Sequence, residues 1–120
     1  MIAVVIVAAA ILLLPNNTLP VEIDVDRAYQ MYRQGALLVD VRTQAEWDET
    51  HIEGSILIPL DELPDRLNEV PRDKDIVVVC RSGNRSKEGT AILREAGFRR
   101  VTCMNGGLRA WTAAGYPVEQ

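Results

Sequence analysis

An α/β fold, with a parallel sheet covered by helices on both faces, is the architecture this sequence predicts. Short apolar runs alternate with segments of helical spacing, Gly and Pro punctuate the joins, and the run "ALLVDVR" lacks the polar alternation of a half-exposed strand. Strands that alternate with helices pair in parallel, because each helix returns the chain to the same end of the sheet.

The elements follow in order. "VEIDV", 21–25, is a short strand, and "DRAYQMYRQG" is a helix with Ala28, Met31 and Tyr32 on one face and Gly35 as its stop. "ALLVDVR", 36–42, is a strand buried on both faces, and "TQAEWDET" opens a helix in which Thr43 and Glu46 have capping-box spacing. "SILIPL", 55–60, is the third strand, and residues 61–70 form a short helix interrupted by Pro64. "DIVVVC", 75–80, is the fourth strand, followed by a helix over 86–96 that Gly97 ends. "VTCMN", 101–105, is the fifth strand, and a last helix near 107–114 stops at Gly115 and Pro117. There are no internal repeats and no low-complexity segment.

At 120 residues the chain holds one domain with a real core. Its net charge is −4, unevenly spread: residues 1–79 carry 6 basic and 14 acidic side chains, whereas residues 80–120 carry 7 and 3. An acidic chain without a basic arm or an aromatic stacking set gives no reason to expect nucleic acid, so small anions are the expected partners of the basic part. Cys80 and Cys103 lie on different elements without C-x-x-C spacing, which excludes a disulfide scaffold and a redox C-x-x-C pair. His51 is the single imidazole, and neither a metal nor a cofactor is expected.

Residues 1–14, "MIAVVIVAAAILLL", carry no polar side chain and are followed by the breaker "PNN". As a helix this segment spans roughly 21 Å, short of a hydrocarbon core of about 30 Å. Its length suits a signal-peptide apolar region, although no Lys or Arg precedes it and no A-x-A site follows. We therefore expect residues 1–20 to be an uncleaved anchor or export segment and 21–120 to be the folded domain. The protein would be membrane-anchored or exported, on the periplasmic side; a first element packed onto a cytoplasmic domain is the alternative, as is a truncated longer anchor.

The chemistry points to "CRSGNRSK", 80–87. In a parallel sheet, ligands sit beyond the carboxyl ends of the strands, where loops meet helix N-termini, and Cys80 ends the fourth strand. Gly83 permits a tight turn, so successive backbone N–H groups can curl into an anion-binding nest that runs into the next helix. Arginines and a helix N-terminus lower a thiol pKa from about 8.5 into a range of roughly 3.5–7.5, which makes a nucleophilic thiolate without a histidine base. A cysteine closing an apolar strand also fits a plain buried side chain. The two arginines, lysine, glycine and small polar residues beside it suit a core poorly.

Three blocks, "LLVDVRTQAEWDETHIEGSILIPLDEL", "VVVCRSGNRS" and "GFRRVTCMNGGLRAW", are together similar to a single-domain rhodanese, over about Val21 to Gln120. The resemblance implies a five-stranded parallel sheet with the active cysteine in the loop after strand four. It further implies a sulfurtransferase in which Cys80 takes sulfane sulfur from a small anionic donor such as thiosulfate, becomes a persulfide, and passes that sulfur to cyanide or a thiol acceptor, with a thioredoxin-like protein as one candidate. Carried onto this chain, the amides of Arg81, Ser82, Gly83, Asn84, Arg85 and Ser86 would hold the sulfur. Arg85 would meet the anionic end of the donor, Arg81 would contact it or face solvent, and Ser86 would cap the helix and donate to sulfur.

Asp40 and Arg42 of the "DVR" block would order the loops as supporting residues. His51 would be structural, and Trp47 and Trp111 core or rim aromatics. Gly106 and Gly107 would turn tightly beside the active loop, and Cys103 would be buried, with a resolving role toward Cys80 as its alternative. Protein tyrosine phosphatases are the nearest rival, but their C-x5-R loop is one residue longer than the C-x4-R of Cys80 and Arg85, and phosphatase or arsenate reductase activity is disfavoured accordingly. A persulfide carrier or a rhodanese-like binding module for a membrane or redox partner is the remaining alternative.

Overall fold

The computed structural model describes residues 18–120. The proposed anchor over residues 1–14 lies outside them. Five strands form one sheet in the order β1-β5-β4-β2-β3, and every pairing is parallel: β1 is Glu22–Ile23, β2 Leu37–Asp40, β3 Ile56–Leu57, β4 Ile76–Val79 and β5 Val101–Met104. Helices α1 (Val25–Arg33), α2 (Gln44–Glu49) and α3 (Asn84–Glu95) join β1 to β2, β2 to β3 and β4 to β5, and α4 (Gly107–Ala113) follows β5. Among the described residues no helix is long and apolar enough to cross a membrane.

β4 lies at the centre, and its side chains divide two cores by simple alternation. Ile76, Val78 and Cys80 join Val39, Val41, Leu63, Leu93 and Phe98 on one face; Val77 and Val79 join Ala28, Met31, Leu38, Leu108 and Trp111 on the other. All four residues of β4 and of β5 are buried, as a sheet sandwiched between helices requires. Trp111 is fully buried and satisfies its indole by donating Nε1–H to the Pro117 carbonyl at 2.9 Å. Leu19 packs into the second core, and its carbonyl accepts from Arg94, so the fold begins before the expected boundary at residue 21.

Three expectations need correction. The first strand shrinks to two residues because Asp24 leaves it to cap α1, accepting from the Arg27 N–H at 2.8 Å. Residues 61–70 are not a helix but two 3₁₀ turns, Leu63–Asp65 and Leu67–Glu69, since Pro64 supplies no N–H to an α-helical ladder. The third helix starts at Asn84 rather than Ser86, because Gly83 itself, at φ 112°, forms its N-cap. That last shift carries Asn84 and Arg85 into the first helical turn and aims the helix N-terminus at Cys80.

Candidate functional site

Cys80 follows the last residue of the central strand, and its side chain is held between that strand and the start of α3. The Gly83 N–H donates to Cys80 Sγ at 2.8 Å, and the Ser86 Oγ stands 3.5 Å from the same sulfur. Gly83 can turn its amide inward because it adopts a left-handed conformation that side chains disfavour. Ser86 is neither the cap nor a donor to sulfur, contrary to expectation: from the third helical position its one hydroxyl proton goes to the Gly83 carbonyl at 2.9 Å, which leaves Oγ to accept from the Cys80 thiol. A donor amide on the sulfur and a twelve-residue helix pointing its positive end there both favour negative charge on Sγ.

The glycine pair fixes the loop from the other side. Leu108 N–H donates to the Cys80 carbonyl at 2.7 Å and Arg109 N–H to the Arg81 carbonyl at 3.1 Å, so the first turn of α4 is hydrogen-bonded to the active loop. A Cβ at Gly107 would collide with the Cys80 carbonyl oxygen and lie 2.6 Å from the Arg81 carbonyl carbon. The backbones meet this closely only because no side chain intervenes.

The arginines are paired within the protein. Arg85 donates through Nη1 and Nη2 to the two carboxylate oxygens of Glu46 at 2.7 and 2.8 Å. Glu46 also completes the capping box of α2, accepting from the Thr43 N–H and hydroxyl while its own N–H donates to Thr43 Oγ1. The Arg85 guanidinium, aided by Thr43 and opposed by burial, holds the Glu46 carboxyl down at about 2 against an ordinary 4.5. Since the folded value is the lower one, this carboxylate stabilises the fold above about pH 4.5, and that contribution fades as pH falls from there through about 2. The melting-temperature gap between wild type and Glu46→Gln should accordingly narrow between about pH 5 and pH 2; a gap that stays constant over that range would contradict the pairing.

Asp40 and Arg42 form a second pair, with side chains only 3% exposed, in which Arg42 Nε and Nη2 donate to the carboxylate at 2.7–3.0 Å. Arg42 Nη2 also reaches the Thr50 carbonyl at 2.7 Å, tying the end of β2 to the end of α2. Deleting one partner leaves a buried charge alone, so Arg42→Met should cost about 3–5 kcal/mol in urea denaturation. A loss below about 1 kcal/mol would show that the pair is solvated.

A cleft of about 260 Å³ borders the loop, lined by Arg42, Glu46, Glu49, Arg81 and Arg109 among others. With Arg42 taken up by Asp40, Arg81 and Arg109 are the cleft's arginines without an acidic partner among the described residues.

Comparison with known proteins settles the family. The family model for the rhodanese-like domain matches residues 24–114. This chain belongs to the rhodanese-like family. A sulfurtransferase of Allochromatium vinosum is 40% identical over 85 residues, 71% of this chain and 79% of that protein. The thiosulfate sulfurtransferase GlpE of Pseudomonas syringae pv. syringae is 36% identical over 94 residues, 78% of this chain and 88% of its own length. Among solved structures, a rhodanese-related protein from Thermoplasma volcanium superposes with a TM-score of 0.76 at 32% identity, covering 82% of this chain and 96% of its own.

Within this rhodanese-like domain the sequence-derived residues do gather at one end of the sheet, with Cys80, Gly83 and Ser86 buried and Arg81, Ser82 and Asn84 exposed. Arg81 lines the cleft and anchors α4 through its carbonyl. Glu46 is the residue that sequence reasoning placed only in a cap; its link to Arg85 spans 39 positions and leaves no local signal. His51 bonds to the Trp47 carbonyl through Nδ1, stacks on the Trp47 ring at 3.9 Å and faces Glu119 at 3.2 Å, which joins α2 to the C-terminal segment.

Cys103 pairs in register with Val78, two residues before Cys80. That offset puts the two cysteine Cα atoms roughly 8 Å apart, beyond the reach of a disulfide at about 7 Å. Burial also pushes the Cys103 thiol up, away from the nucleophilic form, so the geometry gives it no resolving role.

Proposed function

We propose that this chain is a rhodanese-type sulfurtransferase in which Cys80 carries sulfane sulfur as a persulfide. The observation that carries the proposal is the sulfur of Cys80 at the end of the central strand, with the Gly83 amide on it and the N-terminus of α3 beyond. With thiosulfate, the Cys80 thiolate attacks the outer sulfur. The new Cys80 S–S bond forms as the S–S bond of the donor breaks, and sulfite leaves with the electron pair of that bond. The persulfide is anionic, and the Gly83 N–H and the helix N-terminus are placed to favour that charge. Cyanide or a thiolate then attacks the terminal sulfur, forming thiocyanate or a new persulfide and returning Cys80 as thiolate.

The physiological acceptor in this reading is a protein thiol, such as that of a thioredoxin-like protein, and residues 1–14 would anchor the domain at a membrane or direct its export. Their wholly apolar composition supports that placement. Detergent-dependent fractionation of the full chain is the expected behaviour, and full recovery without detergent would contradict it.

The transferase reading is tested by mixing the protein with thiosulfate and cyanide and following thiocyanate. Formation proportional to enzyme and saturable in thiosulfate is expected; no formation above the protein-free rate would refute it for this donor.

A further inference from the structure

Glu46 is an internal anion. From α2, its two carboxylate oxygens take up both Nη atoms of Arg85, the guanidinium that would otherwise be open to an anionic donor. Arg42 is likewise spent on Asp40, and Glu49 adds a second carboxylate to the lining of the cleft that holds the exposed Arg81 and Arg109. The arginine count of the loop therefore overstates the positive charge a donor meets. A multiply charged donor must either displace Glu46 from Arg85 or bind beside it, and both lower its affinity, whereas a donor of small charge loses little.

We propose that Glu46 is a donor-selecting positioning residue: by neutralising Arg85 it biases Cys80 toward sulfane donors of low charge, such as a thiol persulfide, and against sulfur oxyanions. The inference rests on the sulfurtransferase reading. It adds the class of donor and the residue that sets it. Glu46 acts through Arg85 and not on the transferred sulfur, so its effect falls on donor binding and on charge discrimination.

The test compares two donors that deliver the same outer sulfur with different charge, thiosulfate as a dianion and methanethiosulfonate as a monoanion, using cyanide as acceptor. Glu46→Gln removes the charge while keeping a residue suited to the capping box. At low salt it should raise the thiosulfate-to-methanethiosulfonate ratio of kcat/KM by about five- to thirtyfold, mainly through a lower KM for thiosulfate, and the gain should shrink as salt is added. Glu46→Asp, which keeps the charge on a shorter arm, should give an intermediate ratio. Thr43→Ala weakens the cap of α2 but leaves the ion pair, and its ratio should match wild type. An unmoved ratio in Glu46→Gln, or an equal shift in Thr43→Ala, would overturn the inference while leaving the transferase reading intact. Failure of both donors to load sulfur on wild type and variants alike would remove the transferase reading and this inference with it.

Discussion

Replacing the Cys80 thiol with a hydroxyl should lower thiocyanate formation by at least about 10³-fold, since a hydroxyl accepts no sulfane sulfur and nothing else in the site stands in for the nucleophile. Cys80 is 1% exposed and packed among Val78, Leu93 and Cys103, and serine there is the smaller, more polar group, so Cys80→Ser must be shown to fold by its urea transition. Cys103→Ser is the matched control. It sits in the same core and changes the same atom, and it should retain transfer once its stability loss is accounted for. If both serine variants lost activity equally without unfolding, transfer would require the second thiol, and the separation argued from the strand register would be wrong.

The second large effect is expected at Gly107, far from the nucleophile in sequence. At φ 58° with the backbone of Cys80 and Arg81 against it, Gly107 has no space for a methyl group, and the atoms in the way are main chain with little freedom to yield. Gly107→Ala should cost about 2–4 kcal/mol, combining overpacking with a strained backbone angle, and should weaken the amide bonds from Leu108 and Arg109 to the loop. Sulfur loading should then fall further than the loss of folded protein explains. A variant with wild-type stability would show that α4 does not press on the loop.

These two positions also show what the sequence made legible. β4 and Cys80 could be read directly, because a continuous apolar run ending in a cysteine and a glycine-bearing loop has a fixed place in a parallel sheet. The glycine pair was readable as a turn near the loop; that main chain of Cys80 and Arg81 fills the space a Cβ of residue 107 would need is a tertiary fact. Helix ends were harder. Ser86 has the side chain of a cap, and the sequence cannot show that Gly83 takes the cap while Ser86 turns back to its carbonyl. The region around Pro64 kept its apolar spacing but lost the helix to a missing N–H.

Charge was the least legible feature. Arg85 was expected to meet an anionic donor, but its carboxylate partner, Glu46, lies 39 residues away; Arg42 was expected only to order the loops, and its pairing with Asp40 two positions earlier does so. The charge count assigned small anions to the more basic part of the chain, whereas the folded site pairs Arg42 and Arg85 with carboxylates and leaves Arg81 and Arg109 exposed.

Transfer through Cys80 requires that sulfane sulfur reach its thiolate. Intact mass spectrometry of the reduced protein before and after exposure to thiosulfate or methanethiosulfonate tests it most directly. A gain of about 32 Da that cyanide or reductant removes, and that is absent from Cys80→Ser, is the predicted result. A folded, reduced protein that gains no mass from either donor, or gains it equally in Cys80→Ser, would contradict the claim that Cys80 carries the sulfur.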